Sequence, residues 1–379
     1  MRNKNRIKIL ETIRQGQIGG GESHVLDLVS NINRDEFEPI VLSFTDGPMV
    51  ERLKELKIAT YVVETLKPFN ISTFNNVQAI MRSEKIDILH AHGTRALSNT
   101  LFPAKSLHLP IIYTVHGWSF HQDQKFPVKK VRELSEKFLT SNVDLTISVS
   151  NSNQKDGIDR FNMQRSKVVN YGVDLMRFNP NRPMKDLRNE LGIEDGKTTV
   201  GFVVRMTTQK DPFTMVRAVS YVKKLCKDIQ FVFVGDGDLK QQTMDLAKEL
   251  DVDDVIRFHN FRQDIPEVLK AIDIYCLPSL WEGLPIGLLE AMAMQKTIVA
   301  TPVDGTKEAI KNDFNGVLFP CEDHEQLALS ILRLHFNPAL REKLSQRAYE
   351  TVRKNYDLRM MVANNEDIYR RILQKKMIA

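Results

Sequence analysis

Cysteine is scarce in this chain, and the little there is does not pair. Cys226, Cys276 and Cys321 are odd in number, far apart and include no CxxC. That spacing argues against a disulfide framework and against a thiolate zinc site, and makes a reducing cytoplasm the expected compartment. Cys276 lies in the apolar run Ile274–Leu277 and reads as core. Long hydrophobic runs are missing too. No window approaches the ~20 apolar residues that span a bilayer. The basic start, MRNKNRIKILETIRQG, holds no apolar stretch of signal-peptide length. Membrane contact is therefore expected to be peripheral at most, at the inner face. Nor is there a large excess of one charge, since the formal net charge is +5. Basic residues are dispersed and not interleaved with aromatics, so nucleic acid is not an expected partner.

What is present is ordinary for a folded protein: 42% apolar and 27% charged residues in a chain of 379, enough for two domains with a core each. Strand-length apolar runs alternate with helical patterns throughout. Early strands are expected at Ile7–Ile13, Ile40–Phe44, Tyr61–Val63, Ile86–His90, Ile111–His116 and Leu145–Val149. A helix is expected over Gly21–Asn33, where Val25, Val29 and Ile32 share a face. Tyr171–Pro183 is rich in turn formers, has no apolar period and reads as a linker. Beyond it strands are expected at Thr199–Val204, Gln230–Val234, Val255–Phe258, Asp273–Leu277, Thr297–Ala300 and Gly316–Phe319. Helices are expected between them at Pro212–Cys226, Leu239–Leu250, Ile265–Ala271 and Ile286–Met294. The alternation predicts an α/β protein of two doubly wound, Rossmann-like domains facing a central cleft. The expected divisions are 1–175, 176–355 and a final helix, 356–379, that returns to the first domain. Ligands of such sheets bind beyond the carboxyl ends of the strands, so the informative residues are those in strand-to-helix turns.

Three of these turns carry candidate chemistry. Gly16-Gln17-Ile18-Gly19-Gly20-Gly21-Glu22 follows the first strand and opens a helix. It is not a GxGxxG, but its glycines and the free N–H groups of a helix start suit either a plain flexible turn or a phosphate contact. Arg205, at a strand exit with Lys210 five residues on, offers two cations that suit a diphosphate or simply the solvated surface. The third turn, Trp281-Glu282-Gly283-Leu284-Pro285-Ile286-Gly287-Leu288-Leu289-Glu290, places one carboxylate on a loop and a second about a turn inside a helix. The helix start between them is a place for phosphate.

WEGLPIGLLEAMA resembles the signature of glycosyltransferase family 4, the retaining enzymes of GT-B fold, whose two motif glutamates match Glu282 and Glu290. The resemblance runs through nearly the whole chain, in IGGGESHVLDL, ILHAH, YTVHGW, KVVNYGVDLMRFNP, FVGDG, FHNFRQDIPEVL and IVATPVDGTKEAI. It implies a glycosyltransferase of hexosyltransferase type acting on a UDP-sugar or GDP-sugar. The acceptor would be a saccharide or a lipid-linked sugar, in polysaccharide or cell-envelope glycan synthesis, with no metal required. By the same resemblance Gly20, with Gly19 beside it, packs on the donor diphosphate, and Arg205 and Lys210 bind it. Glu290 holds the ribose, and Glu282 faces the transferred sugar as a catalytic residue. His116 reaches the sugar or the acceptor side as the second catalytic residue. Phe261 and Arg262 meet the base through their backbone, and Gly283 and Leu284 line the donor site.

Departures from the family pattern are Val204 and Asp211 where glycines are usual, Asp304 in place of a second glycine, and Tyr171 in place of an asparagine. Those at Val204, Asp211 and Asp304 motivate another reading, a weak or inactive nucleotide-sugar-binding protein of the same fold; an epimerase or phosphorylase of that fold is a further alternative, against which EGLPIGLLE argues. Asp236-Gly237-Asp238 spells a DxD, but two carboxylates without further ligands do not make a metal site. Val128, Val131, Leu134 and Phe138 form an apolar stripe beside Lys125, Lys129, Lys130, Arg132 and Lys137. This segment reads either as an ordinary surface helix or as a contact for anionic membrane.

Overall fold

The protein is described by a computed structural model covering residues 6–17, 19–120 and 124–378, with side chains through Lys375. The basic start MRNKN and Ile18 of the first glycine turn lie outside the described residues. The chain forms two compact units, Met1–Gly172 with Leu358–Ala379, and Val173–Asp357.

The first unit alternates β1 (Ile7–Ile13), α1 (Gly20–Asn31), β2 (Phe37–Ser43), α2 (Pro48–Glu55), β3 (Ala59–Val62), α3 (Phe74–Ser83), β4 (Ile88–His92), α4 (Thr94–Ser106), β5 (Ile111–Val115), α5 (Phe126–Ser141), β6 (Leu145–Ser148), α6 (Asn151–Phe161) and β7 (Ser166–Val168). The sheet order is β3-β2-β1-β4-β5-β6-β7, parallel throughout. The strands are mostly apolar because helices cover both faces, with Glu11 in β1 and His90 and His92 in β4 as buried exceptions. One expectation shifts in a way that matters. The fourth strand starts at Ile88, not Ile86, because Asp87 is held at its entrance by the Lys8 backbone (Lys8 N–H to Oδ2, 2.8 Å). Pairing of Ile9–Ile13 with Ile88–His92 then brings both His90 and His92 into the sheet. The short β7, Ser-Lys-Val, has too little apolar character to be read in advance.

The second unit runs β8 (Thr198–Val203), α7 (Pro212–Leu225), β9 (Ile229–Val234), α8 (Lys240–Glu249), β10 (Ile256–His259), α9 (Ile265–Ala271), β11 (Ile274–Leu277), α10 (Ile286–Ala293), β12 (Thr297–Ala300), α11 (Thr306–Ala309), β13 (Val317–Leu318), α12 (His324–His335) and α13 (Pro338–Asn355). Its parallel sheet has the order β10-β9-β8-β11-β12-β13. Strand order reverses beside β1 in the first sheet and beside β8 in the second, which marks the ends of β1/β4 and β8/β11 as the ligand-binding positions of the fold. The units divide at 172/173 and 357/358 rather than 175/176 and 355/356. The reason is a bridge: Val173 donates its N–H to Tyr356 O (2.8 Å) and pairs with Asp357, which keeps both segments in the second unit.

The last helix, α14 (Leu358–Ile378), belongs to the first unit. Leu358, Met361, Val362, Ile368 and Tyr369 share a core with Ile9, Leu28, Ile88 and Ile112. Tyr369 is fully buried, and its hydroxyl donates to Glu11 Oε1 (2.8 Å) while meeting His90 Nδ1 (2.7 Å). Removing that hydroxyl leaves a buried carboxylate one donor short. Tyr369→Phe is therefore expected to destabilise the first unit by about 1–3 kcal/mol, read as a lower urea midpoint by circular dichroism.

Candidate active site

In the second unit the site grows from the ends of β8 and β11. Arg205 stands exposed just past β8, and Lys210 ends a short 3-10 turn, Thr208–Lys210. The loop after β11 brings Glu282 back to that turn. Its carboxylate is nearly buried and forms an ion pair with the Lys210 ammonium. Ser279 Oγ donates to Oε1 (2.6 Å) and Gln209 Nε2 to Oε2 (3.1 Å). Gln209 also ties the loop itself, through Trp281 O (2.9 Å) and the Leu280 N–H (2.8 Å). Glu282 is thus an oriented, charge-compensated carboxylate on a pinned loop.

Gly283 and Leu284 are buried and lead to Pro285, the N-cap of α10. The first turn of α10 carries no acidic residue, so no acidic side chain of its own competes for an incoming anion at that N-terminus. Glu290 lies half-buried a turn further on. Beneath both carboxylates is the buried Tyr275. Its phenol is pushed well above the ordinary range by burial first, then by the charges of Glu290 and Glu282. Its hydroxyl donates to Val203 O (3.3 Å), and Gly287 makes room for it.

The departures from the family pattern have local explanations here. Asp211 and Asp304 both have positive φ (45° and 36°), the backbone region where glycine is usual and aspartate is among the better-tolerated alternatives. Each then uses its side chain. Asp211 caps α7 by accepting the Thr214 N–H (3.1 Å). Asp304 accepts the Glu282 N–H (2.8 Å). Gly305 is needed beside it, because a Cβ there would fall 2.2 Å from Gly283 O. Val204 is absent from the positive-φ residues and needs no glycine. Of the remaining expected residues, Phe261 is half-exposed and donates its N–H to Asp236 Oδ2 (2.8 Å), whose Oδ1 takes Lys240 (2.7 Å). The first carboxylate of the DxD is therefore already engaged. The Arg262 side chain is held by Asp264 and by Glu190 (2.7 Å).

In the first unit Gly19 is the extended N-cap of α1 and Gly20 its first residue. A Cβ on Gly19 would fall 2.8 Å from the Glu22 carboxylate, which lies near Arg14 (3.8 Å). An anion at this turn meets that pair as well as the helix start. Gly21 leaves room for the His116 ring against α1, where a Cβ would fall 3.2 Å from Cδ2. His116 sits just past β5 and both its nitrogens are engaged: Nε2 with His92 Nδ1 (3.1 Å) and Nδ1 with the Tyr171 hydroxyl (2.5 Å). His92 Nε2 reaches Glu11 Oε2 (2.8 Å). His90 completes the cluster, with Nδ1 3.1 Å from Glu11 Oε2 and Nε2 2.7 Å from Thr114 Oγ1. The buried His24 ring packs on Tyr171, His116 and His92 at 5.0–5.5 Å. Among the described residues, Glu11, His90 and His92 are the set whose ligand atoms converge closely enough for a metal ion. Each of those atoms already has a hydrogen-bond partner in the protein, which makes the cluster a closed hydrogen-bond network.

Ser279, Gln209 and Tyr275 carry no motif and are visible only in the fold. Glu11 and His92 do leave a trace in the sequence: a carboxylate inside the apolar strand Ile7–Ile13, and two histidines at strand period in ILHAH.

Two families match the chain in succession. "Glycosyltransferase Family 4" matches residues 18–177 and "Glycosyl transferases group 1" matches residues 183–351. The chain is 26% identical to the UDP-Gal:alpha-D-GlcNAc-diphosphoundecaprenol alpha-1,3-galactosyltransferase of Escherichia coli, over 96% of this chain and 97% of that protein. It is 27% identical to the D-inositol 3-phosphate glycosyltransferase of Salinispora arenicola, over 88% and 83% of the two chains. In fold it is similar to Anabaena HepE, solved in complex with UDP and glucose (TM-score 0.86, 21% identity, 96% of this chain and 99% of that one). A glycosyltransferase from Rickettsia africae is similar as well (TM-score 0.83, 21% identity, 97% and 99%).

Burial lowers the pKa of His92 to about 4, and holds His24 and His116 well below the ordinary imidazole value of 6.5. The unfolded chain takes up these protons first as the pH falls, so their contribution is complete above about pH 6.5 and is lost on descent through pH 4. Glu11, held far below its ordinary value despite burial by His90 and His92, adds to the loss under more acid conditions. The melting temperature is expected to fall between pH 7.5 and 4.5. His24→Phe, which keeps the ring packing without the titrating group, is expected to flatten that fall in differential scanning calorimetry.

Proposed function

Because the chain belongs to the group 1, family 4 glycosyltransferases, we propose that it transfers a hexose with retention of configuration. The donor is a UDP- or GDP-sugar and the acceptor a saccharide or lipid-linked sugar, in the assembly of a polysaccharide or cell-envelope glycan. The observation that carries this reading is the grouping at the ends of β8 and β11: Glu282 and Glu290 over Tyr275, with Lys210 paired to Glu282, Arg205 just past β8 and an acid-free helix start at α10. The relative that uses UDP-Gal and a diphosphoundecaprenol-linked sugar supports the choice of donor and acceptor class.

Breaking the donor's glycosidic bond leaves negative charge on the diphosphate and positive charge on the sugar ring. Arg205, Lys210 and the N-terminus of α10 meet the first. Glu282 faces the second and takes sugar hydroxyls, while Glu290 takes those of the ribose and the backbone at Phe261 and Arg262 meets the base. The leaving phosphate, on the same face as the attacking hydroxyl, accepts its proton, and this accounts for retention without a protein nucleophile. Two side-chain cations and a helix start neutralise the diphosphate, so the reading requires no metal. In the first unit His116 is assigned to the sugar or acceptor side.

A peripheral membrane contact completes the reading, and α5 supports it. An ordinary surface helix turns its apolar stripe inward. Here the buried side is Glu136, Leu139 and Thr140, and Glu136 accepts from Thr94 (2.6 Å), Ser119 (2.6 Å) and Tyr113 (2.9 Å). Phe126, Val128, Val131, Leu134 and Phe138 are exposed instead. Phe138 continues into Phe102 of α4 and Phe69 (ring centroids 6.2 and 6.4 Å apart). An apolar surface flanked by Lys125, Lys129, Lys130 and Lys137 suits an anionic bilayer.

Transfer is to be assayed with UDP- and GDP-hexoses and polyprenyl-diphosphate sugars, with EDTA present. Glu282→Ala should lower kcat by about 10²–10³ while donor Kd stays within about threefold. Arg205→Ala should weaken both. Full turnover by Glu282→Ala, or loss of wild-type activity in EDTA, contradicts the reading. Separately, the protein is expected to sediment with phosphatidylglycerol vesicles at low salt and not with phosphatidylcholine alone. Val131→Asp with Leu134→Asp should release it, and binding unchanged by that pair removes α5 from the contact.

A further inference from the structure

Glu11 lies inside β1, fully buried, and no step of the transfer reading uses it. The hydrogen bonds that radiate from it can be followed donor by donor. A carboxylate only accepts, so His92 Nε2, 2.8 Å from Oε2, carries a proton. Burial keeps His92 neutral, so its Nδ1 is a lone pair. His116 Nε2, 3.1 Å from that lone pair, must then be the donor. His116 is held neutral in the same way, which leaves Nδ1 as the acceptor of the Tyr171 O–H at 2.5 Å. On the far side Tyr369 donates to Glu11 Oε1 (2.8 Å) and His90 Nδ1 lies 3.1 Å from Oε2, so the carboxylate that starts the chain is itself held in place.

We propose that Glu11 is a positioning residue which, through His92, fixes His116 as the Nε2–H tautomer, so that His116 meets a substrate hydroxyl as a hydrogen-bond acceptor at Nδ1. The proposal rests on the assignment of His116 to the transfer site. Its chemical content is a choice of direction. A sugar hydroxyl that takes the place of the Tyr171 hydroxyl donates to a lone pair, whereas a group with only lone pairs is refused there. With the opposite tautomer the same ring would offer a proton at Nδ1 and select the opposite kind of partner. Tyr171, the departure from the family's asparagine, is the residue whose hydroxyl occupies that lone pair in the structure.

The full-length protein with isotope-labelled histidine, observed by long-range proton–nitrogen correlation, shows which nitrogen of each ring is protonated. At about pH 7, His92 and His116 are expected to be neutral and protonated at Nε2. Glu11→Gln keeps the shape but presents an amide N–H where only acceptors stood. It should move His116 off the Nε2–H form and lower kcat at least about tenfold, with donor KM within about twofold. Tyr171→Phe removes the other partner and should leave His116 at Nε2–H, since the tautomer is set from the Glu11 side. The proposal is overturned if wild-type His116 is charged or protonated at Nδ1. It is equally overturned if Glu11→Gln changes neither tautomer nor kcat, or if Tyr171→Phe alone inverts the ring. Failure of the underlying assignment is distinguishable: His116→Ala would turn over like the wild type while the Nε2–H assignment stood.

Discussion

A parallel sheet covered on both faces by helices has almost nowhere to put a polar group, and the rest of this protein follows from that constraint. Strands must be apolar along their length, so charges collect where strands end and helices begin. The second unit follows this for most of its charges, although Gln230 is buried within β9 and Arg257 lies in β10. Arg205, Lys210, Glu282 and Glu290 all lie in or just beyond strand-to-helix turns, on either side of the point where strand order reverses. The first unit breaks the rule at Glu11, His90 and His92, which lie within strands and are buried. A carboxylate in that position is tolerable only with donors on its oxygens. Tyr369, from the last helix of the chain, is one of them. The closing helix therefore satisfies a charge in the first strand as well as covering apolar surface.

The two units solve the same problem differently. Glu282 is compensated by a cation, Lys210, on the neighbouring turn, and keeps a position at the edge of its sheet. Glu11 is met by Tyr369, His92 and His90 rather than by a lysine or arginine, and its influence travels outward through two imidazoles. The first arrangement sets an ion pair at a strand-to-helix turn. The second determines the direction of a row of hydrogen bonds. In both, donors from neighbouring segments meet the carboxylate oxygens.

Much of this was legible in the chain. Alternating apolar runs gave both sheets, and β1, α9 and β12 have the expected bounds. The two glutamates and the basic pair were marked by their turns and by resemblance to a family. What was not legible depends on contacts made across long sequence separations. Ser279 and Gln209 have no motif, yet they orient Glu282. The fourth strand moved by two residues because Asp87 binds the backbone of Lys8. The apolar stripe of α5 is visible in the sequence, but periodicity alone does not say which face turns inward. The inward side is Glu136, Leu139 and Thr140, with Glu136 held by Thr94, Tyr113 and Ser119, and it leaves the stripe outside.

The departures from the family pattern show how a motif can change its letters and keep its geometry. A glycine position with positive φ requires a backbone conformation more than it requires the absence of a side chain. Aspartate reaches that conformation at modest cost, and once there its carboxylate is available for the local backbone. At Asp211 it caps the helix after the Lys210 turn, and at Asp304 it binds the N–H of Glu282. Each aspartate therefore tightens a segment that bears a site residue. The added negative charge at Asp304 sits opposite a backbone donor, the Glu282 N–H. Substitutions that look like erosion of a glycine-rich site are, on this geometry, exchanges of backbone freedom for anchoring.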